Sequence, residues 1–270
     1  MMREREYRAM KGVSRSELWK LAESPEKYAY WKEHPEDPTP AQIFGQLVHA
    51  ATLEPNIMGE EFVVAPEVNR RTTEGKATYA EFLKENEGKA IVSAEDWAKM
   101  LDMIDAQSRV PYVSQLLNGD HEKPFFWTDD LTGERCKVRV DCLTWATIED
   151  VKTPVIVDYK TTLDASTDAF MRQAINLGYD LQAAMYSVGV EQETKCKPIF
   201  VFIAQEKAPP YAINIMQADP VFVRRGYDRF RELLGIYHEC KESGNWYGYL
   251  GKFDMVNNLA LPAWLAKEVE

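Results

Sequence analysis

The sequence predicts an α/β (α+β) protein with a central mixed β-sheet flanked by helices. Three observations carry that prediction. Capped segments with apolar residues at helical spacing are interleaved with short runs of strand length. Arg135 to Leu143 alternates strictly between polar and apolar residues, as a strand does. Ile199 to Ala204 is continuously apolar, as in a strand covered on both faces.

Residues 14 to 33 read as a helix, with Ser14 or Ser16 at its N-cap, Leu18, Trp19, Leu21 and Tyr28 on an apolar stripe, and a break near Pro25. Thr39 caps a second helix and Pro40 takes its first position. Ile43, Phe44, Leu47, Val48 and Ala51 then recur at helical spacing until Pro55. Between Ala65 and Gly88 the periodicity fades into a polar stretch containing Arg70, Arg71 and Lys76, read as a mobile loop over about 65–90. Helix resumes at Ser93, where Asp96 completes a capping pattern and Trp97, Met100, Leu101 and Ile104 line one face. Phe125 to Trp127, Arg135 to Leu143 and Val155 to Lys160 follow as strands. Ser166 to Val190 is helical with a break near Gly178. Ile199 to Ala204 is a strand, Tyr211 to Met216 pairs with it, and Asp219-Pro220 opens a long helix to Lys241. Asn245 to Glu270 is aromatic-rich and irregular, as in an extended arm.

An excess of 43 Asp and Glu over 32 Lys and Arg, a net charge of −11, excludes a protein that coats nucleic acid through bulk positive charge. A focused basic cleft is compatible with it. Hydrophobic content of 45% and charged content of 28% exclude collagen-like, disordered and disulfide-scaffold classes. No apolar run approaches the roughly 20 residues that span a bilayer, and the charged start carries no apolar signal region. A cytoplasmic protein without a membrane partner is expected. Cys136, Cys142, Cys196 and Cys240 lack CxxC spacing and read as buried thiols.

Strand alternation places Cys136, Val138, Val140 and Cys142 on one face and Lys137, Arg139 and Asp141 on the other. It likewise sets Asp158 beside Lys160, opposite Val157 and Tyr159. An isolated D-x-K reads first as a strand-end ion pair. Asp141, however, offers a second carboxylate for a divalent cation with oxygen ligands. His49, four residues after Gly45, offers a ring nitrogen where a glycine permits close approach. Gln182 and Tyr186, four residues apart, share one helix face.

Together these residues resemble the RecB-type branch of the PD-(D/E)xK nuclease superfamily and, within it, the RecE-type (exonuclease VIII-like) exonucleases of phages and prophages. The resemblance rests on GQLVHAATLEP from Gly45, VRVD ending at Asp141, VDYKTT from Val157 and QAAMY from Gln182, over residues about 12 to 265. It implies a restriction-endonuclease-like core in one nuclease domain over 1–270. A largely helical part spans 1–120, the catalytic sheet with its helices 121–244, and a C-terminal arm 245–270. The interval between Asp141 and Asp158 is read as a wide hairpin.

The resemblance further implies that His49, Asp141 and Asp158, with the Tyr159 carbonyl, bind Mg²⁺ or Mn²⁺, with two ions per site. These side chains should therefore converge on one metal-sized point, with Lys160 beside it. Lys160 would orient or deprotonate the attacking water, and Gln182 and Tyr186 would hold phosphate, DNA backbone or water; the plain reading of that pair is a solvated amide and a core tyrosine. Ser16 with Arg8 or Arg15 is placed at a terminal 5′-phosphate, although the serines read first as helix caps. Arg70, Arg71 and Lys76, which read equally as a solvated surface, are expected with Lys137 and Arg139 along the DNA path. The implied activity is a 5′→3′ exodeoxyribonuclease on double-stranded DNA ends. It would act as a homotrimeric or homotetrameric ring and leave 3′ tails for a RecT-like annealing protein. Competing readings are a nuclease acting on single strands or other ends, a non-catalytic DNA-end-binding subunit, and a structural Ca²⁺ site.

Overall fold

The structure, a computed structural model, describes residues 4–253 and 255–261. Caps and prolines punctuate its helical N-terminal part. After α1 (Glu4–Ala9), Ser14 caps α2 (Arg15–Leu21) in a capping box with Glu17. The break expected near Pro25 is a full helix boundary. Ser24 caps α3 (Pro25–Glu33) and Pro25 takes its first position, so residues 14 to 33 form two helices rather than one. Thr39 and Gln42 form a second capping box on α4 (Pro40–Leu53), which is followed by a 3-10 turn (Pro55–Ile57) and α5 (Met58–Glu61).

The stretch 65–90 departs from the expected loop. Thr72 caps α6 (Thr73–Glu85), and the flanking β1 (Phe62–Val64) and β2 (Ala90–Val92) pair in parallel. Its Tyr79, Phe82 and Leu83 lie at helical spacing but stay half-buried or exposed among charged neighbours, and only Gly75 is buried, so the stretch reads as polar. Ser93 caps α7 (Ala94–Ser108) as expected, and α8 (Pro111–Leu116) follows.

The main sheet runs β3 (Asp120–Thr128), β4 (Arg135–Ile148), β5 (Val151–Thr162), β6 (Ile199–Glu206), β7 (Ile213–Gln217), in that spatial order. Neighbours are antiparallel except β5 and β6, which are parallel and joined through α9 (Thr167–Asn176) and α10 (Tyr179–Thr194). The sheet is mixed, as expected. Gly178 separates the two connecting helices at φ 66, and a Cβ there would stand 2.2 Å from the Trp19 ring. The interval read as a wide hairpin is instead a tight turn between two long strands: β4 and β5 are joined by Glu149 and Asp150 alone, both left-handed (φ 48 and 63), as a two-residue hairpin loop of this hand requires. The last helix is α11 (Pro220–Ser243).

Alternation along β5 and β6 divides two cores. Ile156, Phe200, Phe202 and Ala204 pack with α2, α9, α10 and α11 on one face of the sheet. Val155, Val157, Tyr159, Val201 and Ile203 pack with α4, α7 and α8 on the other. Strand β4 breaks this rule. Cys136, Val138 and Val140 face the first core but Cys142 belongs to the second, so the expectation that all four share a face fails at its last member.

The slip falls at Asp141, where pairing is interrupted on both sides. β3 pairs His121 with Cys142 and Lys123 with Val140, leaving Glu122 opposite Asp141 outside the ladder. β5 pairs with β4 only as far as Val157 with Cys142. Beyond that point the two strands fork. Val13 takes the freed edge of β4, its N–H donating to the Arg135 carbonyl at 2.7 Å and its carbonyl accepting from Lys137 N at 2.9 Å.

Of the arm expected over 245–270, Trp246 packs on Tyr28 and Tyr237, residues 255–261 are irregular and exposed, and residues 254 and 262–270 lie outside the described residues. Cys136, Cys142 and Cys240 are buried thiols, while Cys196 is half-buried. No helix among the described residues is long and apolar enough to cross a membrane.

Candidate active site

The fork between β4 and β5 gathers polar groups from both faces of the sheet. His49 arrives on α4 from the second-core side, with Nε2 3.1 Å from Asp141 Oδ2 and Nδ1 3.5 Å from Glu122 Oε1. Asp141 Oδ2 also accepts the Tyr159 N–H at 2.9 Å, so the carboxylate replaces the ladder bond lost where the strands part. A strand residue sends its N–H and C=O to the same edge, so the Tyr159 carbonyl faces the fork as well. From the first-core face, fully buried Asp158 pairs with Lys160 Nζ at 2.5 Å and accepts a hydrogen bond from Gln182 Nε2 of α10.

Burial acts on each of these groups and their neighbours decide the outcome. Burial opposes charge on His49, but Asp141 and Glu122 carry its pKa up to about 9. Burial also opposes charge on Asp141, yet His49 and Lys160 bring it down to about 2. Glu122 is lifted to about 8 by burial, only partly relieved by His49 and Arg139. Asp158 is lifted to about 6 by burial, with Asp141 adding to the shift and Lys160 opposing it. Burial opposes the charge of Lys160, but Asp158 and Asp141 hold it above the ordinary lysine value. Tyr186, on the same face of α10 as Gln182, keeps its proton: burial first, then Tyr7, Asp141 and Asp158, raise it well above the usual tyrosine value.

His49, Glu122 and Asp141 bring ligand atoms within 4.8 Å of one another. Glu122 Oε1 is buried without a hydrogen bond, and Asp158 Oδ2 has only its ion pair. An orphaned buried carboxylate oxygen is costly unless a cation or donor joins it. Two carboxylates with an imidazole, hard oxygen plus nitrogen, fit a divalent cation. The expected convergence is therefore corrected in one member. Glu122 completes the cluster with His49 and Asp141, while Asp158 turns to Lys160 and Gln182 across the fork.

Glu122 escapes a reading of the sequence because it lies in a polar stretch ahead of the apolar run at Phe125, and its place opposite Asp141 emerges only from the pairing of β3. Its backbone is left-handed at φ 51, a strain of about 1–3 kcal/mol for a residue with a side chain. Arg139 Nε grips its Oε2 at 2.7 Å.

Arg15 is also at this site. Its guanidinium donates to the Leu177 carbonyl, lies 5.4 Å from the Trp19 ring centre and keeps a buried, unpartnered Nε. Burial lowers its pKa, while Tyr186, Tyr179 and Asp158 act against that shift. Several other basic residues expected along the DNA path are held by the protein's own groups. Lys137 is buried and donates to the carbonyls of Tyr7, Arg8 and Met10, closing the C-terminal end of α1. Arg139 links Glu122 to Glu4, so both cations serve the protein's own packing. Arg8 is exposed and pairs with Glu4 within α1. Ser16 is exposed, and the helix cap is Ser14. Arg70 stacks 4.6 Å over Tyr79, and neither it nor Arg71 or Lys76, around the start of α6, pairs with a site residue. A Cβ at Gly45 would meet only Thr161 Oγ1, at 3.7 Å, so close approach of α4 does not require that glycine.

Residues 10–258 match the family model described as a PDDEXK-like domain of unknown function (DUF3799). No curated protein sequence matches the chain. The crystal structure of a "Putative exonuclease" from Eubacterium rectale resembles this one with a TM-score of 0.62 at 16% identity, over 98% of each chain, which is a likeness of fold. The crystal structure of SSO0001 matches over 71% of this chain and 85% of its own at 10% identity, with a TM-score of 0.33. Since the matched span takes in the whole fork, from Val13 to Tyr186, the chain belongs to the PDDEXK-like domain family and has the PD-(D/E)xK nuclease fold.

Proposed function

We propose that this chain is a metal-dependent exodeoxyribonuclease that degrades linear double-stranded DNA from 5′ ends and leaves 3′ single-stranded tails for recombination by strand annealing. The observation that carries the reading is the Lys160–Asp158 pair facing His49, Glu122 and Asp141 across one fork. Family membership supports phosphodiester hydrolysis, and the name of the Eubacterium rectale relative in fold supports action from ends. Polarity, duplex preference, a ring-shaped trimer or tetramer and a RecT-like annealing partner rest on the resemblance of the motifs to RecE-type exonucleases.

His49, Glu122 and Asp141 would hold Mg²⁺ or Mn²⁺, and Asp158 with the Tyr159 carbonyl, which face that cluster across the fork, would be drawn on for a second ion. When bound, the cation supplies Lewis-acid stabilisation of the phosphoryl oxygens and acidifies water, terms worth several kcal/mol. Lys160 is held as an ammonium by Asp158 and Asp141, so it donates hydrogen bonds to the attacking water or a phosphoryl oxygen and orients it. Gln182 fixes the Asp158 carboxylate from behind. The protonated hydroxyl of Tyr186 and the guanidinium of Arg15 offer donors for phosphate, with Ser16 and Arg8 further out at the N-terminal side.

Digestion of linear duplex labelled at either end, with Mg²⁺ present, tests the proposal. Wild type should release the 5′ label first, while Asp158→Ala and Lys160→Ala should be nearly inactive. Equal activity in all three would remove the site assignment, and first release of the 3′ label would remove the polarity.

A further inference from the structure

Behind the fork, on the second-core side of β5, four side chains are hydrogen-bonded within otherwise apolar packing. Gln107 Nε2 of α7 lies 3.0 Å from Thr52 Oγ1, 3.1 Å from the Tyr159 hydroxyl and 2.9 Å from Gln205 Oε1. Tyr159 donates its hydroxyl to Gln205 Oε1 at 2.6 Å, and Gln205 Nε2 donates to the Met103 carbonyl at 2.9 Å. Thr52 donates to the Val48 carbonyl at 2.8 Å. Gln107, Tyr159 and Gln205 are 7%, 2% and 0% exposed, so bulk solvent does not reach them.

The members of this cluster stand next to the site on both of its walls. Thr52 is three residues from His49 on α4, and Tyr159 lies between Asp158 and Lys160 on β5. Apolar packing is non-directional: Leu47, Val48 and Leu53 share a core with Val155 and Val157 and would hold α4 on the sheet without setting its position along β5. Buried hydrogen bonds do set it, because a slide would leave a buried amide or hydroxyl without its partner.

We infer that the Thr52–Gln107–Tyr159–Gln205 cluster is a positioning device that fixes α4 against β5 and so sets the separation of His49 from Asp158 and Lys160. This rests on the reading of His49, Glu122 and Asp141 as a cation site. None of the four side chains need touch the cation or the DNA.

The test is Mn²⁺ binding to the metal-free full chain, followed by calorimetry or paramagnetic resonance, with a thermal melt of every variant. Gln107→Met and Thr52→Val should weaken Mn²⁺ binding about tenfold or more, the size typical of groups that orient metal ligands. Thr52→Ser, which keeps the hydroxyl, should restore it. Leu233→Ala, in the opposite core, should lower the melting temperature and leave Mn²⁺ affinity unchanged. Folded Gln107→Met and Thr52→Val with wild-type affinity would overturn the inference and leave the cation site standing. Loss of affinity in Leu233→Ala matching theirs would overturn it too, as a mere stability effect. If Gln107→Met does not fold, the comparison of Thr52→Val with Thr52→Ser decides alone, since Thr52 is half-buried and loses one group. Wild-type affinity in His49→Ala would instead overturn the cation-site reading, and the inference with it.

Discussion

Asp141 and Tyr159 are bonded where their strands part: Asp141 Oδ2 accepts the Tyr159 N–H at 2.9 Å, in place of a rung of the β4–β5 ladder. The same oxygen faces His49 Nε2 at 3.1 Å. One carboxylate thus repairs the backbone at the fork and supplies charge to the site, and substitution separates the two roles. Asp141→Asn keeps an acceptor for the N–H, whereas Asp141→Ala leaves a buried donor unpaired at about 1–3 kcal/mol. Both should lose Mn²⁺ binding, and the alanine variant should melt well below the asparagine one. Equal melting temperatures would show that the bond does not support the fold.

Metal binding should release protons. In the metal-free protein the His49 pKa is carried up to about 9 by Asp141 and Glu122 and the Glu122 pKa up to about 8 by burial; each depends on the charge of the other, so together they hold at least one proton at pH 7 that must leave before both act as ligands. Asp141, at about 2, has none to lose. Calorimetric titration with Mn²⁺ in buffers of different ionisation enthalpy should report about one to two protons released at pH 7 and fewer at pH 8.5. A count near zero at pH 7 would mean that His49 and Glu122 are not ligands.

Much of this was legible in residue patterns, and the failures share a cause. Capping residues such as Thr39 and Ser93 act within one helical turn, and strand alternation acts within one strand, so both are visible locally. That is why Asp158 and Lys160 could be set side by side from spacing alone. Glu122 and the displaced Cys142 depend on how β3, β4 and β5 pair, which no local pattern encodes. The same holds for Lys137 and Arg139. Their charges suggest DNA, yet the carbonyls of α1 and the carboxylates of Glu122 and Glu4 claim them across long sequence separations. Helix α6 escapes for a different reason: it buries only Gly75, and its few apolar residues sit among charges that make the stretch read as polar.

Gln182 holds Asp158 through a hydrogen bond to Oδ1. Its donor favours the charged carboxylate, so Gln182→Met should push the Asp158 pKa further above about 6. Mn²⁺ affinity of the variant should then fall steeply at pH 6 and recover most of the wild-type value at pH 8, where the carboxylate ionises regardless. A loss that is the same at both pH values would place the role of Gln182 elsewhere.

Gly226 of α11 lies against the turn that starts α10. A Cβ there would sit 1.9 Å from the Asp180 carbonyl oxygen and 2.3 Å from its carbon, both backbone atoms that cannot swing aside. Gly226→Ala must therefore separate α11 from α10, the helix that carries Gln182 and Tyr186. A destabilisation of about 1–3 kcal/mol or more is expected, read as a lowered melting temperature together with weakened nuclease activity. A variant that melts like wild type would show that the two helices are less tightly apposed.

Glu122 joins a strained backbone to a buried carboxyl, and its titration gives the sharpest test of its environment. Its folded value of about 8 stands above the ordinary 4.5, so between these values the folded state holds a proton that the unfolded chain has released. The stability it contributes is complete below pH 4.5 and is lost as pH rises through 8. Glutamine resembles the protonated carboxyl and suffers no such loss. Metal-free Glu122→Gln should accordingly melt near wild type at pH 5 and above it at pH 9, while binding Mn²⁺ more weakly at either pH. If wild type and variant instead keep the same difference in melting temperature from pH 5 to pH 9, Glu122 ionises freely, and its buried place opposite Asp141 is wrong.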